Sequence, residues 1–76
     1  MAKLPIVKPK QVIRALQRAG FYIHRQVGSH ARLIHPIDPA RRVTVPIHNE
    51  DIPKGTLSSI IKQAGLTVDE FIRLLQ

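Results

Sequence analysis

The chain has 76 residues, close to the lower size at which one hydrophobic core can hold a fold without help. It contains no cysteine, which excludes disulfides and thiolate metal sites and favours a reducing, cytoplasmic location. Twelve Lys and Arg against five Asp and Glu give a formal net charge of +7, which favours a polyanionic partner: RNA, DNA or an acidic protein surface.

The N-terminal twenty residues contain prolines and lysines and lack a sustained apolar run. They predict neither a signal peptide nor a membrane span. The sequence shows no internal repeat and no composition shift, so we expect one soluble domain over residues 1–76, with no membrane partner.

The first predicted element is an amphipathic helix. Val12, Leu16 and Ala19 recur at helical spacing. Pro9 suits the first helical turn, and Gly20 suits the residue just past the helix end. Both boundaries of this helix are therefore marked in the sequence.

Three short strands are predicted next, over Phe21–Gln26, His30–His35 and Arg42–Val45, with turn residues between them. Period-two alternation directs one set of side chains toward the core: Phe21, Ile23, Ala31, Leu33, Val43 and Val45. The other set would form an open, polar and basic face: Tyr22, His24, Gln26, His30, Arg32, Ile34, Arg42 and Thr44. Tight links between the strands favour an antiparallel meander.

Two further helices are predicted at the C-terminal end. The first has apolar residues at i, i+3, i+4 and i+7 and stops at Gly65: Leu57, Ile60, Ile61 and Ala64. Thr67 and Glu70 have capping-box spacing at the start of a short final helix. The order α-β-β-β-α plus a short C-terminal helix predicts an α+β fold with the helices packed on one face of a three-stranded antiparallel sheet.

Several segments, in order along nearly the whole chain, resemble the HicA toxin family. They are Leu4-Pro5, Ala19-Gly20-Phe21, Arg25-Gln26, Gly28-Ser29-His30, His35-Pro36, Val43-Thr44-Val45-Pro46-Ile47-His48, Gly55-Thr56-Leu57 and Ile60-Ile61-Lys62-Gln63-Ala64-Gly65-Leu66. The resemblance implies a fold similar to a double-stranded RNA-binding domain and an mRNA interferase activity that slows translation. It also implies a cognate HicB antitoxin that masks the toxin and helps to repress the shared operon. The histidine of the family's Gly-Ser-His motif is catalytic, and the matching residue is His30.

The chemistry of histidine fits this role. Metal-free RNA cleavage needs a base for the 2′-hydroxyl proton, and histidine in general has a pKa of about 6.5, near physiological pH. Gly28 would allow close approach of the sugar-phosphate and Ser29 could donate a hydrogen bond. Arg25 or Arg32 could hold the phosphate. We expect no cofactor and no metal, because the four histidines have no ligand spacing.

The residues alone leave several alternatives open. His24 could be a second proton-transfer or RNA-binding group on the open face, whereas packing or surface roles are favoured for His35 and His48. The basic flank of the first helix, Lys10, Arg14 and Arg18, could bind RNA, bind an antitoxin or be merely solvated. The runner-up function is a non-catalytic RNA-binding module, and a third is a basic adaptor for an acidic protein. The general acid, the cleavage preference, the product ends, the oligomeric state and the surface that an antitoxin covers are not specified by the sequence.

Overall fold

The computed structural model describes residues 3–76, so the first two residues of the predicted domain lie outside the described part. The elements are α1 (Pro9–Arg18), β1 (Tyr22–Val27), β2 (His30–Ile34), β3 (Arg42–Pro46), α2 (Lys54–Gln63) and α3 (Val68–Leu75). The strands form one antiparallel sheet in the order β1-β2-β3. The predicted α+β fold, similar to a double-stranded RNA-binding domain, is confirmed, and each strand boundary lies within one residue of its prediction. No helix within residues 3–76 has the length and hydropathy needed to span a lipid bilayer.

Helix α1 begins and ends where the sequence predicts. Pro9 is its first residue, and the side-chain oxygen of Gln11 accepts a hydrogen bond of 2.8 Å from the backbone N–H of Lys8. This bond satisfies a donor that the helix itself cannot pair. The helix stops before Gly20, whose φ of 101° is a conformation that side-chain-bearing residues rarely adopt.

The core lies between the helices and one face of the sheet. Ala31 and Leu33 of β2 and Val43 and Val45 of β3 are buried there, as predicted. The helices supply the other large side chains, chiefly Val12, Leu16, Leu57, Ile60, Ile61 and Phe71. On the opposite face of β2 and β3, the alternate residues are exposed except for Ile34 and Pro46, which are half-buried, so this face is open to solvent.

Strand β1 departs from its prediction. All six of its residues are exposed, including Ile23, which we expected to face the core. Ile23 does pair with the buried Leu33, but its side chain remains 44% exposed because α1 and α2 pack over β3 and leave β1, at the other edge of the sheet, largely uncovered. Only Phe21, one residue before the strand, is buried as predicted.

Specific polar contacts cap the start of α3 and the end of α2. The predicted capping box of α3 is present: the Thr67 hydroxyl accepts from the Glu70 N–H at 3.1 Å, and the Glu70 carboxylate accepts from the Thr67 N–H at 2.9 Å. At the end of α2, Arg41 Nε donates to the Ala64 carbonyl at 2.7 Å. The Arg41 guanidinium also lies 5.2 Å from the centre of the Phe21 ring, a cation-π distance.

Candidate functional site

The Gly28-Ser29 turn fixes the start of β2. Val27 pairs with His30, which leaves a two-residue hairpin loop. Gly28 has a φ of 57°, as expected for the first loop residue of a type II′ turn. A Cβ at this position would have no neighbour within 4 Å, so the backbone angle and not lack of space is what requires glycine. The turn is further attached to the chain after β3, because the Ser29 carbonyl accepts from the Ile47 N–H at 2.6 Å.

The open face consists of three rows of cross-strand neighbours. Directly paired residues of adjacent strands share a face of the sheet. The row nearest the turn contains Val27, His30 and Pro46; the middle row contains Arg25, Arg32 and Thr44; the third row contains Tyr22, Ile34 and Arg42. His30 is exposed at the start of the middle strand, with Arg32 two residues along the same face.

A β-bulge at His24 changes which β1 residues join this face. The pairing passes from Ile23 with Leu33 to Arg25 with Arg32, so that His24 has no opposite residue. Arg25 therefore lies beside Arg32, while Gln26 pairs with Ala31 and lies on the other side. The prediction that Gln26 belongs to the open face is wrong, because it assumed an uninterrupted period of two.

The bulge leaves His24 on the open face but away from His30. His24 lines a depression of about 430 Å³ with Arg25, Arg32, Arg42 and Thr44, and His30 is not part of that lining. The His24 ring also lies 6.3 Å from the Tyr22 ring in an edge-to-face arrangement. His24 is thus grouped with the arginines and not with the turn.

In the described part of the chain, the open face carries arginines and no acidic residues. None of the five acidic residues of the sequence lies in a strand. Within residues 3–76 the one ion pair joins Lys8 Nζ to Asp51 at 2.9 Å, so neither Arg25 nor Arg32 has a carboxylate partner. Arg42 differs from them because its Nε donates to the Pro39 carbonyl at 2.9 Å. The guanidiniums of Arg25 and Arg32 are therefore available to bind an anion.

His35 has a packing role, as the sequence favoured. Its ring meets the Phe21 ring edge-on at 5.2 Å. Its Nδ1 accepts backbone N–H bonds of 3.3 Å from Ile37 and from Asp38. The two hydrogen bonds hold the turn between β2 and β3 and the ring contact packs His35 on Phe21, so His35 is not available at the open face.

The three residues of the basic flank of α1 differ in their contacts. Arg18 Nη1 donates to the Leu74 and Gln76 carbonyls at 2.7 and 2.8 Å, at the C-terminal end of α3. Lys10 and Arg14 remain exposed along the same groove. Of the three residues that the sequence grouped together, Arg18 therefore stabilises helix packing.

Metal ligands are not grouped in the described part of the chain. Among residues 3–76 there is no cluster of three or more His, Asp or Glu side chains that could hold a metal ion.

Comparison with known families identifies the class of protein. A family model described as HicA toxin of bacterial toxin-antitoxin matches residues 9–66. The chain belongs to the HicA toxin family. The match runs from the first residue of α1 past the end of α2 and includes the turn with His30. Membership of this HicA family of toxin-antitoxin proteins implies an antitoxin partner. A search of curated proteins finds no match to this chain.

Sequence reasoning missed two features of this HicA site. The bulge that brings Arg25 opposite Arg32 has no signal, because an exposed edge strand lacks the apolar pattern that would reveal its register. The attachment of the turn to Ile47 was also missed, since the Pro46-Ile47 segment reads simply as the end of a strand.

Proposed function

We propose that the protein is the toxin of a type II toxin-antitoxin pair, an mRNA interferase that cleaves RNA without a metal ion and so inhibits translation in the cytoplasm. His30 is the general base in this proposal. Gly28, Ser29, Arg25, Arg32 and His24 contact the RNA. The observation that carries the proposal is an exposed histidine one row from two unpaired arginines, on a sheet face without carboxylates.

The spacing of His30 and the arginines fits a single-stranded substrate. Residues two apart on one strand face are about 7 Å apart, so His30 and Arg32 can act on adjacent parts of one backbone. Arg25 lies across from Arg32 and can grip the same phosphate from the neighbouring strand. An RNA backbone that crosses these two rows would therefore have a phosphate at the guanidiniums of Arg25 and Arg32 and a ribose near the imidazole of His30.

The Arg25-Arg32 pair itself supports an anionic ligand. Like charges directly opposite each other destabilise a sheet. No carboxylate within residues 3–76 relieves this repulsion. A phosphate bound between the two side chains would relieve it, and bidentate guanidinium-phosphate contacts are strong.

The proposed reaction begins with His30 taking the proton of a ribose 2′-hydroxyl. The freed oxygen attacks the adjacent phosphorus while Arg25 and Arg32 stabilise the added negative charge. Positioned proton transfer of this kind contributes about 10² to 10⁴ in rate. DNA lacks the attacking hydroxyl, so the proposal requires selectivity for RNA.

The test is cleavage of RNA by the purified protein in the presence of EDTA. We expect the wild type to cleave RNA but neither DNA nor 2′-O-methyl RNA. We expect His30→Ala to lose cleavage by about 10²-fold or more, and to lose growth arrest on expression, while keeping its circular dichroism spectrum. RNA that is bound with salt-dependent affinity but stays intact with the wild type would instead favour a non-catalytic RNA-binding module.

A HicB-like antitoxin is the proposed protein partner. The net charge of +7 fits a partner with an acidic surface. We expect the protein encoded by the neighbouring reading frame to copurify with the chain and to block RNA cleavage when it is added at equal concentration. A neighbouring protein that binds and leaves cleavage unchanged would contradict this assignment.

A further inference from the structure

We infer that His48 is the second proton-transfer residue of the site, donating a proton to the leaving 5′ oxygen while His30 accepts the 2′ proton. This inference rests on the proposed function and supplies the general acid that the sequence does not specify.

The register of β2 and β3 brings His48 to the end of the sheet that holds His30. His30 pairs with Pro46, and the next residue still follows the ladder, because the Ile47 N–H donates to the Ser29 carbonyl. His48 is therefore two residues beyond the direct partner of His30. Diagonal neighbours inside an antiparallel pair lie about 7–8 Å apart, and His48 lies just past the end of β3, where the Ile47–Ser29 hydrogen bond continues the pairing.

Burial indicates the side of the sheet on which His48 lies. Val45 is fully buried, Pro46 pairs with the exposed His30, and Ile47 packs against the core. Alternation then directs His48, which is exposed, to the side of Pro46 and His30. Two imidazoles on one face at this spacing can approach opposite sides of one phosphorus, which is where the attacking and leaving oxygens lie.

The loop that carries His48 is held at both ends. Before His48, Ile47 is bonded to the Ser29 turn. After it, Lys8 Nζ donates to the Asn49 carbonyl at 3.2 Å and pairs with Asp51 at 2.9 Å, and the Ile52 N–H donates to the Val7 carbonyl at 2.9 Å. The backbone of His48 is thus fixed relative to the turn, as a proton donor requires.

The charged groups around His48 include both signs. His48 lines one shallow depression with Glu50 and an adjoining one with Lys8 and Lys10. Lys8 is already paired with Asp51. Lys10 is therefore the lysine beside His48 that can bind the phosphate after the scissile bond. The other histidines are placed less well: His24 is three residues from Val27, the β1 partner of His30, and His35 is packed against Phe21.

The chemical step balances without any further reactant. The 2′-oxygen forms a bond to phosphorus as its proton passes to His30, and the bond from phosphorus to the 5′-oxygen breaks as that oxygen takes a proton from the His48 imidazolium. The products are a 2′,3′-cyclic phosphate and a 5′-hydroxyl. His30 ends protonated and His48 neutral, and exchange with water restores both.

The decisive test compares two RNA substrates of the same sequence, one ordinary and one with sulfur in place of the 5′-bridging oxygen at the cleaved bond. A thiolate leaves without needing a proton, so a general acid is dispensable for the second substrate. We expect His48→Ala to slow cleavage of ordinary RNA by about 10²-fold or more and to slow cleavage of the sulfur substrate less than about 10-fold. His30→Ala should be slow on both substrates, and His24→Ala should not show the selective recovery.

The outcomes separate this inference from the proposed function. Full activity of His48→Ala on ordinary RNA, with an active wild type, would overturn the role of His48 and leave the function intact. An equal loss on both substrates would also overturn it, because a binding or structural role does not depend on the leaving group. A wild type that cleaves neither substrate would overturn the proposed function, and the role of His48 with it.

Discussion

His30 is positioned by its neighbours in the chain more than by contacts of its own side chain. The turn before it needs a positive φ at Gly28, and the pairing of Val27 with His30 begins β2. Pro46 lies opposite His30 at a pair whose backbone groups do not bond across to β2, so its missing N–H faces the outer edge of the sheet. These two residues explain how an exposed histidine is held in a defined place.

Gly28→Ala tests the conformational role of this turn. We expect it to lower the free energy of unfolding by about 1–2 kcal/mol, because a Cβ is disfavoured in the left-handed region. Gly55→Ala is the matched control: Gly55 lies in the first turn of α2 without positive φ, and a Cβ there has no neighbour within 4 Å. It should be neutral or stabilising by about 0.4–1 kcal/mol. Equal urea denaturation midpoints for the two variants would contradict this account.

At the residue scale, the sequence predicted His30 and Arg32 more securely than Arg25. The alternation of buried Ala31 and Leu33 fixes which side of β2 carries His30 and Arg32. No buried residue fixes the register of β1, so the bulge that brings Arg25 to the same face is visible only in the pairing. The sequence could therefore predict which side chains of β2 lie on the open face, but not which side chains of β1 do.

The elements of the fold were predictable for a similar reason. Helices α1 and α2 each have an apolar stripe and a glycine after the end, and the capping box of α3 is a local pattern. The contacts between elements were not predictable, because they depend on distant carbonyls. Arg18 and Arg41 both look like ordinary surface cations in the sequence, yet Arg18 donates to two carbonyls at the end of α3 and Arg41 to one at the end of α2.

Arg18→Ala tests whether this residue belongs to helix packing. We expect it to lower the free energy of unfolding by about 1 kcal/mol, since it removes a charged donor from the C-terminal end of α3. Arg14→Ala removes the same charge from the same helix and should change stability by less than about 0.5 kcal/mol. Urea denaturation measures both. Equal effects of the two substitutions would show that the Arg18 contacts contribute nothing.

The capping box of α3 predicts an acid-dependent part of the stability. The hydrogen bond from the Thr67 backbone N–H is the main cause that lowers the pKa of Glu70 below its ordinary value of 4.5. A lowered pKa in the folded state gives stability that is present above 4.5 and lost as the pH falls through the folded-state value.

Glu70→Gln keeps an oxygen acceptor for Thr67 but does not titrate. We expect the difference in unfolding free energy between wild type and Glu70→Gln to be constant above pH 4.5 and to shrink below it. Thermal unfolding across the acid range measures this difference. A difference that stays constant into acid would mean that ionisation of Glu70 is not linked to folding.

At the scale of the whole molecule, α3 completes a core that the shared family region leaves unfinished. The family match ends at residue 66, before α3 begins, yet Phe71 is fully buried and is among the largest core side chains. A chain of this size has about 0.05–0.15 kcal/mol of stability per residue, or about 4–11 kcal/mol in all. One large side chain is therefore a substantial part of the total.

Phe71→Ala should lower the free energy of unfolding by about 3–5 kcal/mol, through lost burial and the cavity that remains. Phe71→Leu keeps most of the buried side chain and should cost clearly less. The urea midpoint and the cooperativity of the transition measure both variants. A fully stable Phe71→Ala protein would show that α3 is not needed for the core.

The uncovered edge strand β1 has a consequence for the motion of the site. Since all six of its residues are exposed, β1 has little burial to lose and should open locally at a lower free energy than β2 or β3. Its amide hydrogens should exchange with deuterium faster than those of β2, the central strand, and of β3, the other edge strand, whose Val43 and Val45 are buried. In the proposed mechanism, Arg25 then lies in a part of the sheet that opens locally and His30 in a more stable part, so that the contact of Arg25 with a phosphate could adjust to the substrate while the His30 imidazole stays in place.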